Sequence, residues 1–163
     1  MRKKAQIFAK LISRVPFVRK ISLTGSLAEG RAHAGSDIDF FVQTARNRLY
    51  LTRFLVTALV HITGERRYGN HVAGAICLNW FAAFDGPARQ RQRHVVLWQK
   101  KGERDRLLEK ILRSALGDFL ERYAKSIQQA RFTRDPRTHL PGSMVRFSDE
   151  ELGFHPPKTH SPS

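Results

Sequence analysis

A chain of 163 residues with 41% hydrophobic content is long enough for one domain with a real core, and too apolar to stay unfolded throughout. Its 29 Lys and Arg against 14 Asp and Glu give a formal charge of +15, which favours anionic partners (RNA, DNA, nucleotides or an acidic protein) through steering and counterion release without choosing among them. The single cysteine, Cys77, excludes an internal disulfide and fits a cytoplasmic location, and no stretch approaches the ~20 apolar residues of a membrane span.

The first predicted element is a short amphipathic helix over 2–15, with Ile7, Phe8, Leu11, Ile12 and Val15 on its apolar side, ended by Pro16. Lys10 and Arg14 interrupt the apolar residues and no small-residue cleavage site follows, so this is not an export signal. "FVRKISLTG" (17–25) alternates as a strand, with Val18, Lys20 and Ser22 on one side and Arg19, Ile21 and Leu23 on the other. Gly25 closes it, and "SLAEGR" reads as a helical turn. "SDIDFFVQT" (36–44) is the second strand. A helix follows over 47–64, with Asn47 as its cap and Gly64 as its stop.

"GNHVAGAICLNWFAAFDG" (69–86) is almost continuously apolar, as a central strand buried on both faces requires. Residues 86–104 are basic, with "HVVLWQ" as a short edge strand. Residues 104–132 form a long amphipathic helix or a broken pair. Leu107, Leu108, Ile111, Leu112, Ala115, Phe119, Leu120, Tyr123 and Ile127 make its stripe, and Gly117 is a possible kink. From Thr133 onward Pro, His, Ser and charge dominate, predicting little regular structure. There is no internal repeat. The expected fold is α+β: a small mixed β-sheet with helices packed on it over residues 1–132, ending in the amphipathic helix, then an irregular tail over 133–163.

Chemistry concentrates in "GSLAEGRAHAGSDIDFFV" (25–42). Side chains at i and i+2 of a strand share a face, so Asp37 and Asp39 point together while Ile38 and Phe40 point away. Two close carboxylates raise each other's pKa unless a cation offsets them, and oxygen-only ligation suits a hard ion such as Mg²⁺. Gly25 permits close backbone approach to a ligand, Ser26 caps the following turn, and the N–H groups there form a phosphate cradle. A metal site and a phosphate site on adjacent strands suggest chemistry on a nucleoside triphosphate.

These residues, "LTGSLAEGRAHAGSDIDFFV" with the flanking strand, helix and strand, resemble the DNA polymerase beta-like nucleotidyltransferase superfamily, particularly its minimal single-domain members, over roughly residues 17–85. The resemblance implies that Gly25 and Ser26, with Ser36, bind the nucleotide. It implies that Asp37 and Asp39 are the catalytic, metal-holding acids, in a site with room for two Mg²⁺ ions. The reaction implied is transfer of a nucleoside monophosphate from a triphosphate to an acceptor. The family's third acid stands on a later core strand; here that strand offers Asn79, with Asp85 at its end. Glu29 occupies a turn position where the family often has a basic residue. Two functions are therefore open. One is an active Mg²⁺-dependent nucleotidyltransferase; the other is a weak or inactive module of that fold, antitoxin-like or regulatory, that binds RNA or a protein partner.

The remaining candidates are weaker. Seven histidines, among them His33, His61, His71 and His94, show no metal-ligand spacing. The basic stretches 2–20 and 86–104 suit an acidic acceptor, Trp80 reads as packing, and Tyr68 and Trp98 are the candidates for base stacking. The acidic cluster Asp149, Glu150 and Glu151 between Phe147, Leu152 and Phe154 reads either as a docking segment or as a floppy terminus.

Overall fold

A computed structural model of the chain describes residues 1–67, 72–84, 94–102 and 107–154. Tyr68, His71, Asp85, the arginines at 89, 91, 93 and 104, and the end of the tail from 155 lie outside the described residues.

The first helix, α1 (Arg2–Ile12), buries Ala5, Phe8, Ala9 and Ile12, while Ile7, expected on that side, is exposed. The apolar stripe is thus drawn by two alanines that the pattern of large residues left out. Strand β1 (Val18–Thr24) leads into a single helical turn, α2 (Gly25–Ala28). Val18 joins Ile21 and Leu23 in the core because the pairing with the next strand slips between Val18 and Lys20, which breaks the strict alternation expected.

Strand β2 (Ile38–Thr44) runs antiparallel to β1, and helix α3 (Leu49–Ile62) then crosses to the parallel strand β3 (Ile76–Ala83). Gly64, at φ 72°, stops α3 as expected. Asn47 does not cap it. The Glu121 carboxylate does, accepting the Tyr50 N–H at 2.9 Å and the Leu51 N–H at 2.8 Å from another helix.

"HVVLWQ" forms the expected edge strand β4 (Val95–Gln99), paired with β1, and Trp98 packs partly buried against the core. The long helix is broken, but between residues 112 and 114, into α4 (Leu107–Ile111) and α5 (Ala115–Arg134). Gly117 is no kink: a side chain there would overlap the Leu112 carbonyl, so glycine is what lets α5 pass that backbone. The expected stripe also proves wrong. On α5 Gly117, Ala124, Gln128 and Phe132 face inward, whereas Leu116, Phe119, Tyr123 and Ile127 are exposed. On α4 the buried residue is Glu109, whose carboxylate takes the Phe17 N–H and the side chains of Arg19 and Lys100 at 2.9–3.1 Å.

The segment after Thr133 has more regular structure than expected. A 3₁₀ turn (Pro136–His139) is followed by the hairpin β5 (Arg146–Phe147) and β6 (Glu151–Gly153), with β6 antiparallel to β3. Leu152 is buried in the core and Glu151 accepts the Trp80 indole N–H at 3.0 Å, so part of the tail docks onto the domain. The sheet order is β4-β1-β2-β3-β6-β5. Ile38, Phe40, Val42, Ile76, Leu78 and Phe81 point to the core face under α1 and α3; Phe41 and Trp80 stack on the other face with centroids 4.0 Å apart. This is the α+β architecture expected. Among the described residues no helix is long and apolar enough to cross a membrane.

Candidate active site

The acids lie where β1, β2 and β3 meet. Asp37 immediately precedes β2; Asp39 is its second residue, paired in register with Thr24 on β1 and Cys77 on β3. Because Ile38 and Phe40 are drawn into the core, the two carboxylates face the other way together. Among the described residues, one ligating atom from each of Asp37, Asp39 and Cys77 lies within 4.8 Å of the others.

The Gly-Ser bend touches this cluster. Gly25, at φ +66°, begins α2, and a Cβ built on it would overlap the Asp39 carboxylate oxygen and come 3.2 Å from its carboxyl carbon. Only glycine satisfies both the left-handed backbone and the close approach. Ser26 follows, part-exposed, on the first turn of α2, where helical N–H groups have no intrahelical acceptor. Ser36 is buried and braces the loop ahead of the acids. Its hydroxyl accepts the His33 N–H at 3.0 Å, and its carbonyl accepts the Gly74 N–H at 2.8 Å.

Burial, reinforced by the neighbouring Asp37 charge, raises the Asp39 pKa to about 6. A hydrogen bond with Cys77 and the positive charge of Arg67 oppose that rise. The same burial and the two carboxylates push the Cys77 thiol well above its ordinary range, so it remains a protonated, weak donor. Asp37 is held differently: Arg67 Nη1 lies 2.7 Å from its Oδ2, and 3.9 Å from Cys77 Sγ.

Two residues here escaped the sequence reading. Arg67 arrives because residues 65–67 pair with the start of β3, its N–H donating to the Ile76 carbonyl at 2.9 Å; no local pattern signals that. Cys77, and not Asn79, is the β3 residue in register with Asp39. The β2–β3 pairing slips between there and Phe41–Trp80, leaving Asn79 as the extra residue, with its backbone carbonyl accepting the Phe154 N–H at 2.8 Å. Glu29 is salt-bridged to Arg31.

The donors present fit a hard divalent cation: two carboxylates on one face, one hydrogen-bonded to the neutral Cys77 thiol and the other paired with a partly exposed arginine. Cys77, protonated and neutral, is no ligand for such an ion.

Comparison with known proteins identifies the family. The family model for the nucleotidyltransferase domain matches residues 4–118, which takes in α1, the motif, β1 to β4, α4 and the start of α5. No curated protein matches the chain. A solved crystal structure of a toxin-antitoxin with AMP-PNP aligns over 80% of this chain and 90% of that one, at 17% identity and a TM-score of 0.37; its ligand and assembly are properties of that protein. With well over half of its length matched, and with the motif folded where that model spans it, the chain belongs to the nucleotidyltransferase domain family.

Proposed function

We propose that the protein transfers a nucleoside monophosphate from a nucleoside triphosphate to an acceptor, with Asp37 and Asp39 holding Mg²⁺ and the Gly25-Ser26 bend seating the triphosphate. The observation that carries this reading is the approach of the Gly25 backbone to the Asp39 carboxylate, which would let a phosphate cradle and a cation ligand act side by side. In the reaction, an acceptor hydroxyl gives up its proton to solvent as its oxygen bonds to the α-phosphorus, the bond to the bridging oxygen breaks, and pyrophosphate leaves with the charge.

Bound there, Mg²⁺ supplies offsetting charge for the phosphate oxygens and fixes their orientation. The chain's own residues set the conditions. Asp39 ligates as the carboxylate, the form favoured above about pH 6. Asp37, now paired with Arg67, would hold the cation in place of that guanidinium, which would leave Arg67 able to meet a phosphate oxygen. Gly25 keeps side-chain bulk out of the cradle, Ser26 offers a hydroxyl donor, and Ser36 holds the loop that sets the spacing between bend and acids.

A second reading is a nucleotide-binding module that does not transfer. It is favoured by the neutral Cys77 standing in register with Asp39 on the strand that carries the family's third acid. The test is incubation with α-labelled triphosphates and Mg²⁺ in the presence of RNA, protein and small-molecule acceptors. Pyrophosphate release and labelled acceptor that vanish in Asp39→Ala support transfer. Nucleotide binding with no pyrophosphate released supports the second reading.

A further inference from the structure

The outward face of α5 carries features that nucleotide transfer does not use. Phe119 and Tyr123 are more than half exposed, and their rings are parallel within 8° at a centroid separation of 6.3 Å. One turn further, Ile127 is also exposed and lines a groove of about 840 Å³ that Arg131 and Arg134 border. The spacing 119, 123, 127, 131 places all four on one side of the helix, with about 12 Å from Tyr123 to Arg131 along the axis.

Arg131 also belongs to a second grouping. Arg53 of α3 donates to Gln128 Oε1 at 2.6 Å and lies over the rings of Phe132 and Phe81, 5.0 and 5.9 Å from their centroids. Arg66 and Arg131 are close enough that their charges act on it. Burial first, then those two guanidiniums, lower the Arg53 pKa to about 10, and burial followed by Arg131 lowers that of Arg66. Among the described residues none of Arg53, Arg66 and Arg131 pairs with a carboxylate. The nearby Asp135 is claimed by Arg137, whose Nε and Nη2 reach its two oxygens at 3.0 and 2.8 Å. Arg131 acts on that same Asp135 carboxylate, which leaves three positive charges sharing one acid already paired with Arg137, and a further anion would relieve their repulsion.

We infer that α5 and the adjoining Arg53–Arg66–Arg131 cluster form a binding face for single-stranded nucleic acid, with bases stacking on Phe119 and Tyr123 and backbone phosphates seated on Arg131, Arg134 and Arg66. Stacking platforms beside a cationic track are how sequence-tolerant single-strand binding is built. Guanidinium forks match phosphate geometry. A second copy of this chain is a poor occupant, because two molecules of charge +15 repel. The face does not involve Asp37 or Asp39, so it stands or falls separately from the transfer reaction.

The test is fluorescence anisotropy of the full chain with labelled 20-nucleotide single-stranded RNA and DNA of one mixed sequence, in EDTA and without triphosphate. Three double variants are compared with wild type: Arg66→Gln/Arg131→Gln, Phe119→Ala/Tyr123→Ala, and a charge-matched control on α1, Lys3→Gln/Lys10→Gln. The arginine variant is expected to lose at least tenfold in affinity at 0.1 M salt and to flatten the log–log salt slope by about 1.4. The aromatic variant is expected to lose at least about thirtyfold with the slope unchanged. The control is expected to stay within about threefold of wild type. Circular dichroism confirms that each variant is folded; the aromatic pair, being exposed, reports on binding even if the arginine variant unfolds. Equal losses in all three variants, or no binding of either oligonucleotide by wild type, overturn the assignment. Tighter binding of a poly-glutamate peptide than of either oligonucleotide also overturns it, in favour of an acidic protein partner.

Discussion

The α-carbon of Gly25 and the carboxylate of Asp39 lie so close that no side chain fits between them. Gly25→Ala therefore meets two penalties, a left-handed backbone at φ +66° and displacement of a carboxylate from its place. The expected cost is about 1–2 kcal/mol of stability, read by urea denaturation. Binding of a nonhydrolysable triphosphate with Mn²⁺ is expected to be lost. Unchanged nucleotide binding in a folded Gly25→Ala protein would remove the cradle from the proposed function.

Asp39 makes the free protein pH-sensitive. Its folded pKa of about 6 exceeds the ordinary 3.8, so the folded chain holds that proton more tightly than the unfolded chain. The contribution is fully present below the ordinary value and is lost as pH rises through 6, on the order of 3 kcal/mol. Asp39→Asn is therefore expected to be more stable than wild type at pH 8 and nearly equal at pH 4. It should no longer bind Mn²⁺. Urea midpoints at the two pH values decide; a less stable Asp39→Asn at pH 8 contradicts the burial account.

Arg67 competes with a cation for Asp37. Arg67→Met removes an ion pair whose arginine is 45% exposed, worth up to about 1 kcal/mol, and is expected to tighten Mn²⁺ binding roughly fivefold. The metal-free variant should be less stable, because the two acids then face each other without relief. Free Mn²⁺ measured by electron paramagnetic resonance gives the affinity. Weaker binding in Arg67→Met would make Arg67 a helper and not a competitor.

Glu121 ties α5 to the start of α3 by accepting two backbone N–H groups. Glu121→Ala leaves both without an acceptor and is expected to cost about 1–2 kcal/mol. Glu121→Gln, which keeps one good acceptor oxygen, should cost about half as much. Chemical denaturation of the pair tests this; equal losses would show that charge, and not acceptor geometry, holds the helix end.

Alternation placed β1, a nearly continuous apolar run placed β3, and the i, i+2 geometry of a strand predicted that Asp37 and Asp39 share a face, because burial of Ile38 and Phe40 leaves the acids only one direction. The Gly25 turn was equally readable, since few residues tolerate that backbone. What lay beyond reach came from register and from distant partners. Cys77 stands opposite Asp39 through a slip in strand pairing, and Arg67 reaches Asp37 by a bridge no local pattern encodes. On α5 apolar periodicity pointed the wrong way, because the face packed on α3 is made of Gly117, Ala124 and Gln128, small or polar, while the large residues look outward.

The pairing of β6 with β3 bears on how the chain reaches its final form. Ile76–Ala83 acquires its second neighbour only once Glu151–Gly153 has been synthesised, so a nascent chain shows an open apolar margin for most of its time on the ribosome. Fragments cut short before that hairpin would self-associate through the bare margin, and expression yield would fall with them before any loss of chemistry could be assayed.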